Sequence, residues 1–141
     1  MKIAVVGGGI VGATCAYYLS KEQKNEIVVF DYGLGQATKA SAGIISPWFS
    51  KRRNKPWYKM ARLGADFYLK LVKDLEADGY NTDFYSQCGV YLLKKNEDKL
   101  PELKELAESR KELSPMIGDL EIISKEEVRK IIPSFDNNGD V

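Results

Sequence analysis

Apolar and polar residues follow two different periods along this chain, and the places where the period changes mark its elements. Residues 3–6 form an unbroken apolar run, Ile3, Ala4, Val5 and Val6. Such a run, rich in β-branched side chains, predicts a parallel strand buried on both faces. Glycines follow at once. From Ile10 the small and apolar residues Ala13, Ala16, Tyr17 and Leu19 recur at helical spacing, giving a helix whose small-residue face turns toward the sheet. Residues 21–25 are a polar turn, and Ile27, Val28, Val29 and Phe30 form a second strand closed by Asp31.

Further on, helical spacing returns over residues 57–75 through Trp57, Ala61, Gly64, Phe67, Tyr68, Leu71, Val72 and Leu75. This predicts a helix whose aromatic stripe belongs to the core, stopped near Asp78 and Gly79. Residues 83–95, with Phe84, Tyr85, Cys88, Val90, Tyr91, Leu92 and Leu93, read as a strand. A turn at 96–99 leads to a helix with Pro101 in its first turn and Leu103, Leu106, Ala107 and Leu113 on its apolar side. Ser124 with Glu127 three residues later is a capping box, so a short helix is expected over 125–132, ended by Pro133. Residues 136–141 are a polar loop, and residues 51–55 a basic, solvated turn.

The chemistry is concentrated at the first strand-to-helix turn. Gly7, Gly9 and Gly12 hold G-x-G-x-x-G spacing. Gly7 turns the chain off the strand, Gly9 lacks the Cβ that would keep a pyrophosphate from the backbone, and Gly12 lets the helix approach closely. A helix starting at Ile10 and Val11 aims its unpaired N–H groups and positive dipole end at that turn, which suits a diphosphate. Asp31 lies about twenty residues past the glycines, where a carboxylate accepts from ribose 2′- and 3′-hydroxyls and its charge disfavours a 2′-phosphate. A glycine turn alone is weak; strand, turn, helix, strand and acid in register define a Rossmann-like βαβ unit and an α/β fold. On these residues alone NAD and FAD both remain open.

Charged residues make up 29% of the chain but leave a formal net charge of +1 with signs interleaved, so nothing points to nucleic acid or an anionic membrane. No apolar run approaches the ~20 residues of a membrane span, and a cytoplasmic location is the default expectation. Histidine is absent, which removes histidine triads, histidine-ligated zinc and histidyl-linked flavin; no metal site is expected. Cys15 and Cys88 lack C-x-x-C spacing and are expected to be buried small apolar residues.

Residues 32–50 shift to Gly, Ala, Ser and Thr, including Ala37, Thr38, Lys39, Ala40, Ser41, Ala42, Gly43, Ile44, Ile45, Ser46 and Pro47. Composition reads equally as a flexible loop or as backbone held against something flat. With the glycine turn and Asp31, this segment resembles the N-terminal part of the FAD-dependent oxidoreductases of the D-amino-acid oxidase type, the group of glycine oxidase, sarcosine oxidase and D-amino-acid dehydrogenase. The likeness extends over essentially the whole chain. It implies FAD as cofactor, with Gly7, Gly9, Ile10, Val11 and Gly12 at the pyrophosphate and Asp31, followed by Tyr32, at the adenosine ribose. Many members carry Glu at that acid, so Asp31 shortens the reach. Thr38 with Ser41 would lie at the phosphates, and Ala42, Gly43 and Ile44 beside the isoalloxazine ring.

The same resemblance implies oxidation of a small-molecule amine or amino acid by hydride transfer to flavin, with no catalytic residue identifiable here. It places residues 1–82 in the FAD-binding portion and 83–141 at the opening of a substrate domain, where a strand and the stretch around Ser124 and Glu127 resemble the family's. The family continues well past this length, so a truncated chain is expected, with self-association or a complementary C-terminal chain as partner. Two rival readings stand beside this one: half of an NAD-dependent dehydrogenase, and a catalytically inactive fragment or interaction subunit.

Overall fold

A computed structural model describes residues 1–52 and 54–133. The chain divides into two compact units, Met1–Ile44 and the residues from Ile45 onward, taken in turn.

The first unit is a βαβ crossover. Strand β1 (Lys2–Val6) and strand β2 (Glu26–Phe30) pair in parallel, Lys2 opposite Glu26 and Val6 opposite Phe30. Parallel neighbours need a crossover of this length, and helix α1 (Ile10–Ser20) supplies it, packing on both strands with Ala16 buried. The expected burial of β1 on both faces is not met. Its residues alternate between half-buried and exposed, Val6 is 87% exposed and Phe30 57%, because two strands and one long helix leave much of a parallel sheet uncovered. A short helix, α2 (Ala37–Ala40), follows β2.

The second unit is helical. Helix α3 (Lys55–Ala77) begins where the Asn54 side chain accepts the Trp57 N–H at 3.0 Å and Pro56 occupies the first turn. It ends in a Schellman motif: the Gly79 N–H donates to Glu76 O at 2.9 Å and the Tyr80 N–H to Leu75 O at 3.0 Å, with Gly79 at φ +82°. The buried face runs through Ala65, Leu71 and Val72, while Trp57, Gly64 and Phe67 are exposed. Of the expected stripe, Leu71 and Val72 are buried and Ala61, Tyr68 and Leu75 half-buried, and Ala65 joins them.

Helix α4 (Lys99–Glu108) contributes Leu103 and Ala107 to the core and packs, as α3 does, on a 3₁₀ turn over Pro47–Phe49 that buries Trp48. Arg110 holds this junction, donating to the carbonyls of Trp48 and Ser50 while its guanidinium lies 4.1 Å above the Tyr58 ring. Arg62 donates to Asp66 Oδ2 at 3.0 Å and to Leu113 O at 2.6 Å. Leu113 itself is exposed in a 3₁₀ turn rather than part of a longer α4. Helix α5 (Lys125–Ile131) has the expected capping box in both directions.

Residues 84–93 make no ladder among the described residues. Their alternating apolar pattern suits a strand, but a strand exists only with a partner to take its N–H and C=O groups. The same shortage of cover explains the cysteines: Cys15 and Cys88, expected to be buried, are free and exposed. The loop at 136–141 and Arg53 of the basic turn lie outside the described residues.

Candidate functional site

Three short stretches of the first unit meet at the mouth of α1: the glycine turn, the acid after β2, and α2. Gly7 leaves β1 with φ +98°, a conformation open to glycine and strained for other residues. Its N–H donates to Phe30 O at 2.7 Å, tying the turn to the end of β2. At Gly12 a Cβ would lie 1.8 Å from the Gly7 carbonyl oxygen and 3.4 Å from Val5 Cγ1. The closest approach is thus helix on turn, with the sheet next. A Cβ at Gly9 would meet Thr38 Oγ1 at 3.3 Å.

Asp31 stands directly after β2 and accepts three protein donors. The Gly8 N–H reaches Oδ2, while the Gly33 N–H at 2.7 Å and the Gln36 side-chain amide at 2.6 Å both reach Oδ1. These bonds, that from Gly8 foremost, hold the carboxyl below its ordinary range, with a weaker pull from Lys39. A hydrogen bond to the charged form favours that form, so Asp31 is an anion at neutral pH. Thr38 Oγ1 accepts the Ile10 N–H at 3.1 Å. Gly9, at the helix N-cap, has no side chain to do so; a residue of α2 supplies the cap instead.

The structure therefore brings Gly7, Gly9, Ile10, Gly12, Asp31 and Thr38 into one cluster. Val11 and Tyr32 adjoin it with exposed side chains. Ser41 turns back on its own helix, donating to Thr38 O at 2.9 Å and accepting the Gly43 N–H at 3.4 Å. Ala42, Gly43 (φ +69°) and Ile44 continue as an exposed stretch. Sequence reasoning missed Gly8 and Gln36. The signal for Gly8 is the third glycine in a row: a Cβ there would lie 3.0 Å from Asp31 Oδ2. Gln36 carried no signal beyond its place five residues after the acid.

Chemically the cluster offers bare backbone at a helix N-terminus, where the first four N–H groups lack intrahelical partners and the dipole is positive, beside a fixed carboxylate. Diphosphate and a sugar hydroxyl are what such a pair can hold. A site of this kind on a βαβ crossover defines a dinucleotide-binding α/β protein.

The family is narrower than that. Residues 2–140 match the FAD dependent oxidoreductase family, DAO, and the chain belongs to it. It is 40% identical over 129 residues to the oxidoreductase YurR of Bacillus subtilis, covering 92% of this chain and 35% of that protein. It is 28% identical over 107 residues to the glycine oxidase of the same organism, covering 74% of this chain and 29% of that one. Among solved structures, an iminodiacetate oxidase from Chelativorans sp. BNC1 superimposes with a TM-score of 0.83 at 26% identity, over 94% of this chain and 36% of that one. The chain thus spans about a third of the length of these relatives, as an N-terminal portion of the family, and its family cofactor is FAD rather than NAD. No helix among the described residues is long and apolar enough to cross a membrane.

Proposed function

We propose that this chain seats the adenosine diphosphate half of FAD for the oxidation of a small amine or amino acid. The observation that carries the proposal is the Gly8 N–H bond to Asp31 Oδ2, which locks the phosphate turn and the ribose acceptor into one constellation. In this reading residues 7–12 hold the pyrophosphate and Asp31 the ribose. Thr38 and Ser41 line the phosphate side, Tyr32 flanks the sugar, and Ala42, Gly43 and Ile44 border the flavin ring. The residues fit the group: Gly12 lets the start of α1 sit so tightly on the Gly7 turn that an added Cβ would lie 1.8 Å from Gly7 O, and Gly9 puts no side chain over the mouth of the helix. Flavin, when bound, supplies the hydride acceptor; this chain supplies binding and orientation, and no catalytic residue is assigned to it.

The names of the relatives support the substrate class, since glycine, iminodiacetate and D-amino acids all carry an oxidisable carbon next to nitrogen. Residues 1–82 are assigned to the cofactor portion and the residues from 83 to the opening of a substrate domain, in a cytoplasmic protein. Exposed Val6, Val29 and Phe30 on the two-stranded sheet favour association with a second copy or a complementary chain.

Titration of the purified chain with FAD, followed by flavin fluorescence, tests the proposal. Asp31→Ala removes the sugar acceptor and Gly9→Ala places a methyl group against Thr38 and the phosphate path. Each is expected to weaken binding by roughly tenfold or more, the scale of one lost charge-assisted hydrogen bond. Unchanged affinity in both variants would remove the site from residues 7–31.

A further inference from the structure

Asp31 is more fully engaged than a ribose acceptor needs to be. An ionised carboxylate has about four lone-pair sites and accepts only. Two of those on Oδ1 are taken by the Gly33 N–H and the Gln36 Nε2 amide, and one on Oδ2 by the Gly8 N–H. One acceptor position is left, on Oδ2, which is room for one sugar hydroxyl and not for two. The second hydroxyl of a vicinal diol must find an acceptor elsewhere.

Gln36 is placed to provide it. Its side chain must present the NH₂ end to the carboxylate, since a carboxylate cannot donate. The carbonyl oxygen Oε1, on the same planar amide, is then a neutral acceptor held next to Asp31. The residue is also held from behind: its backbone carbonyl accepts the Lys39 N–H at 3.0 Å and the Ala40 N–H at 3.1 Å at the start of α2. It is half-buried where all its neighbours in residues 31–40 are exposed. A glutamine at an open loop would gain nothing from such fixing.

We propose that Gln36 reads the adenosine ribose together with Asp31, Asp31 Oδ2 accepting from one hydroxyl and Gln36 Oε1 from the other. The inference rests on the nucleotide seat proposed above and adds a specificity-determining residue to it. Gln36 also positions Asp31, fixing which oxygen stays free for the sugar.

The test uses ADP, 2′-deoxy-ADP and 3′-deoxy-ADP with the 141-residue chain, binding being measured by calorimetry. In the unmodified chain both deoxy compounds bind several-fold more weakly than ADP. In Gln36→Leu, ADP weakens roughly tenfold, as for one lost hydrogen bond at a polar site, and one deoxy compound now binds as well as ADP because its missing hydroxyl has lost its reader. In the same variant the Asp31 carboxyl, followed by carbon-detected NMR, titrates at higher pH than before. Gln36→Asn, whose amide is one methylene short, serves as the variant that keeps polarity and loses reach, and it behaves like Gln36→Leu. If Gln36 served only to fold α2, all three nucleotides would weaken by one factor, and that result overturns the proposal. So does an unchanged affinity in Gln36→Leu while Asp31→Ala loses binding. If Asp31→Ala also binds all three nucleotides normally, the seat itself is wrong and the inference falls with it.

Discussion

Gly12 and Gly64 receive the same change, Gly to Ala, with opposite expected signs. Both lie inside α-helices, where alanine is intrinsically better than glycine by about 0.5–1 kcal/mol. At Gly64 on α3 an added Cβ meets nothing within 4 Å, so the propensity gain stands alone. At Gly12 on α1 the Cβ would lie 1.8 Å from Gly7 O and 3.0 Å from Gly7 C. Reaching even 3.0 Å from that oxygen, a separation real Cβ atoms essentially never undercut, requires helix and turn to part by more than 1 Å. The obstacle is backbone, which cannot swing aside as a side chain can. Overpacking of this kind costs about 1–3 kcal/mol and occasionally more, well beyond the propensity gain.

Native-state amide exchange separates the two effects, because β1 and β2 report on the first unit and α3 on the second. Net of the propensity gain, Gly12→Ala should lower protection in Lys2–Val6 and Glu26–Phe30 by up to about 70-fold, and Gly64→Ala should raise it in Lys55–Ala77 by about two- to fivefold. Protection in β1 and β2 that stays level or rises in Gly12→Ala would refute the steric reasoning, whatever happens at Gly64.

Three further outcomes concern the second unit. Ser124→Ala removes the cap of α5, at a cost of about 0.5–2 kcal/mol, seen as lost protection in Lys125–Ile131. The Ser124 N–H and hydroxyl also hold the Glu127 carboxyl below its ordinary value of 4.5. A carboxyl depressed on folding stabilises above its unfolded value and loses that contribution as pH falls through the folded one. The α5 amides should therefore lose protection below about pH 4.5 in the unmodified chain, and show less of that dependence in Ser124→Ala. Arg62→Met keeps the aliphatic stem but leaves Asp66 and the Leu113 carbonyl without their donor. The expected loss of about 1–3 kcal/mol would show in chemical denaturation of the helical signal.

What the chain discloses without coordinates depends on how local the cause is. The βαβ unit, the glycine spacing, the start of α1 straight after Gly9 and the capping box at Ser124 all follow from neighbours within a few residues, and each is found where expected. Burial depends on what lies opposite, and there the reading failed. Cys15, Cys88 and residues 84–93 look like core material in composition, yet both cysteines are exposed and residues 84–93 pair with no strand among the described residues. In the site, Gly7, Gly12 and Asp31 could be named from spacing because their roles are set by a strand-turn-helix geometry. Gln36 could not, since its partner is chosen by the path of residues 32–36 around Gly33 and Gly35, both at positive φ. Thr38 was placed beside a phosphate through family likeness, while its bond to the Ile10 N–H becomes visible only once α2 is folded back.

The three donors on Asp31 also bear on how the seat responds to its surroundings. The Asp31 charge is already met by three protein donors, so an arriving sugar hydroxyl adds one neutral contact and little net charge moves. Dissolved ions would then act mainly on the diphosphate end of the ligand, and the ribose end would keep its grip in brine.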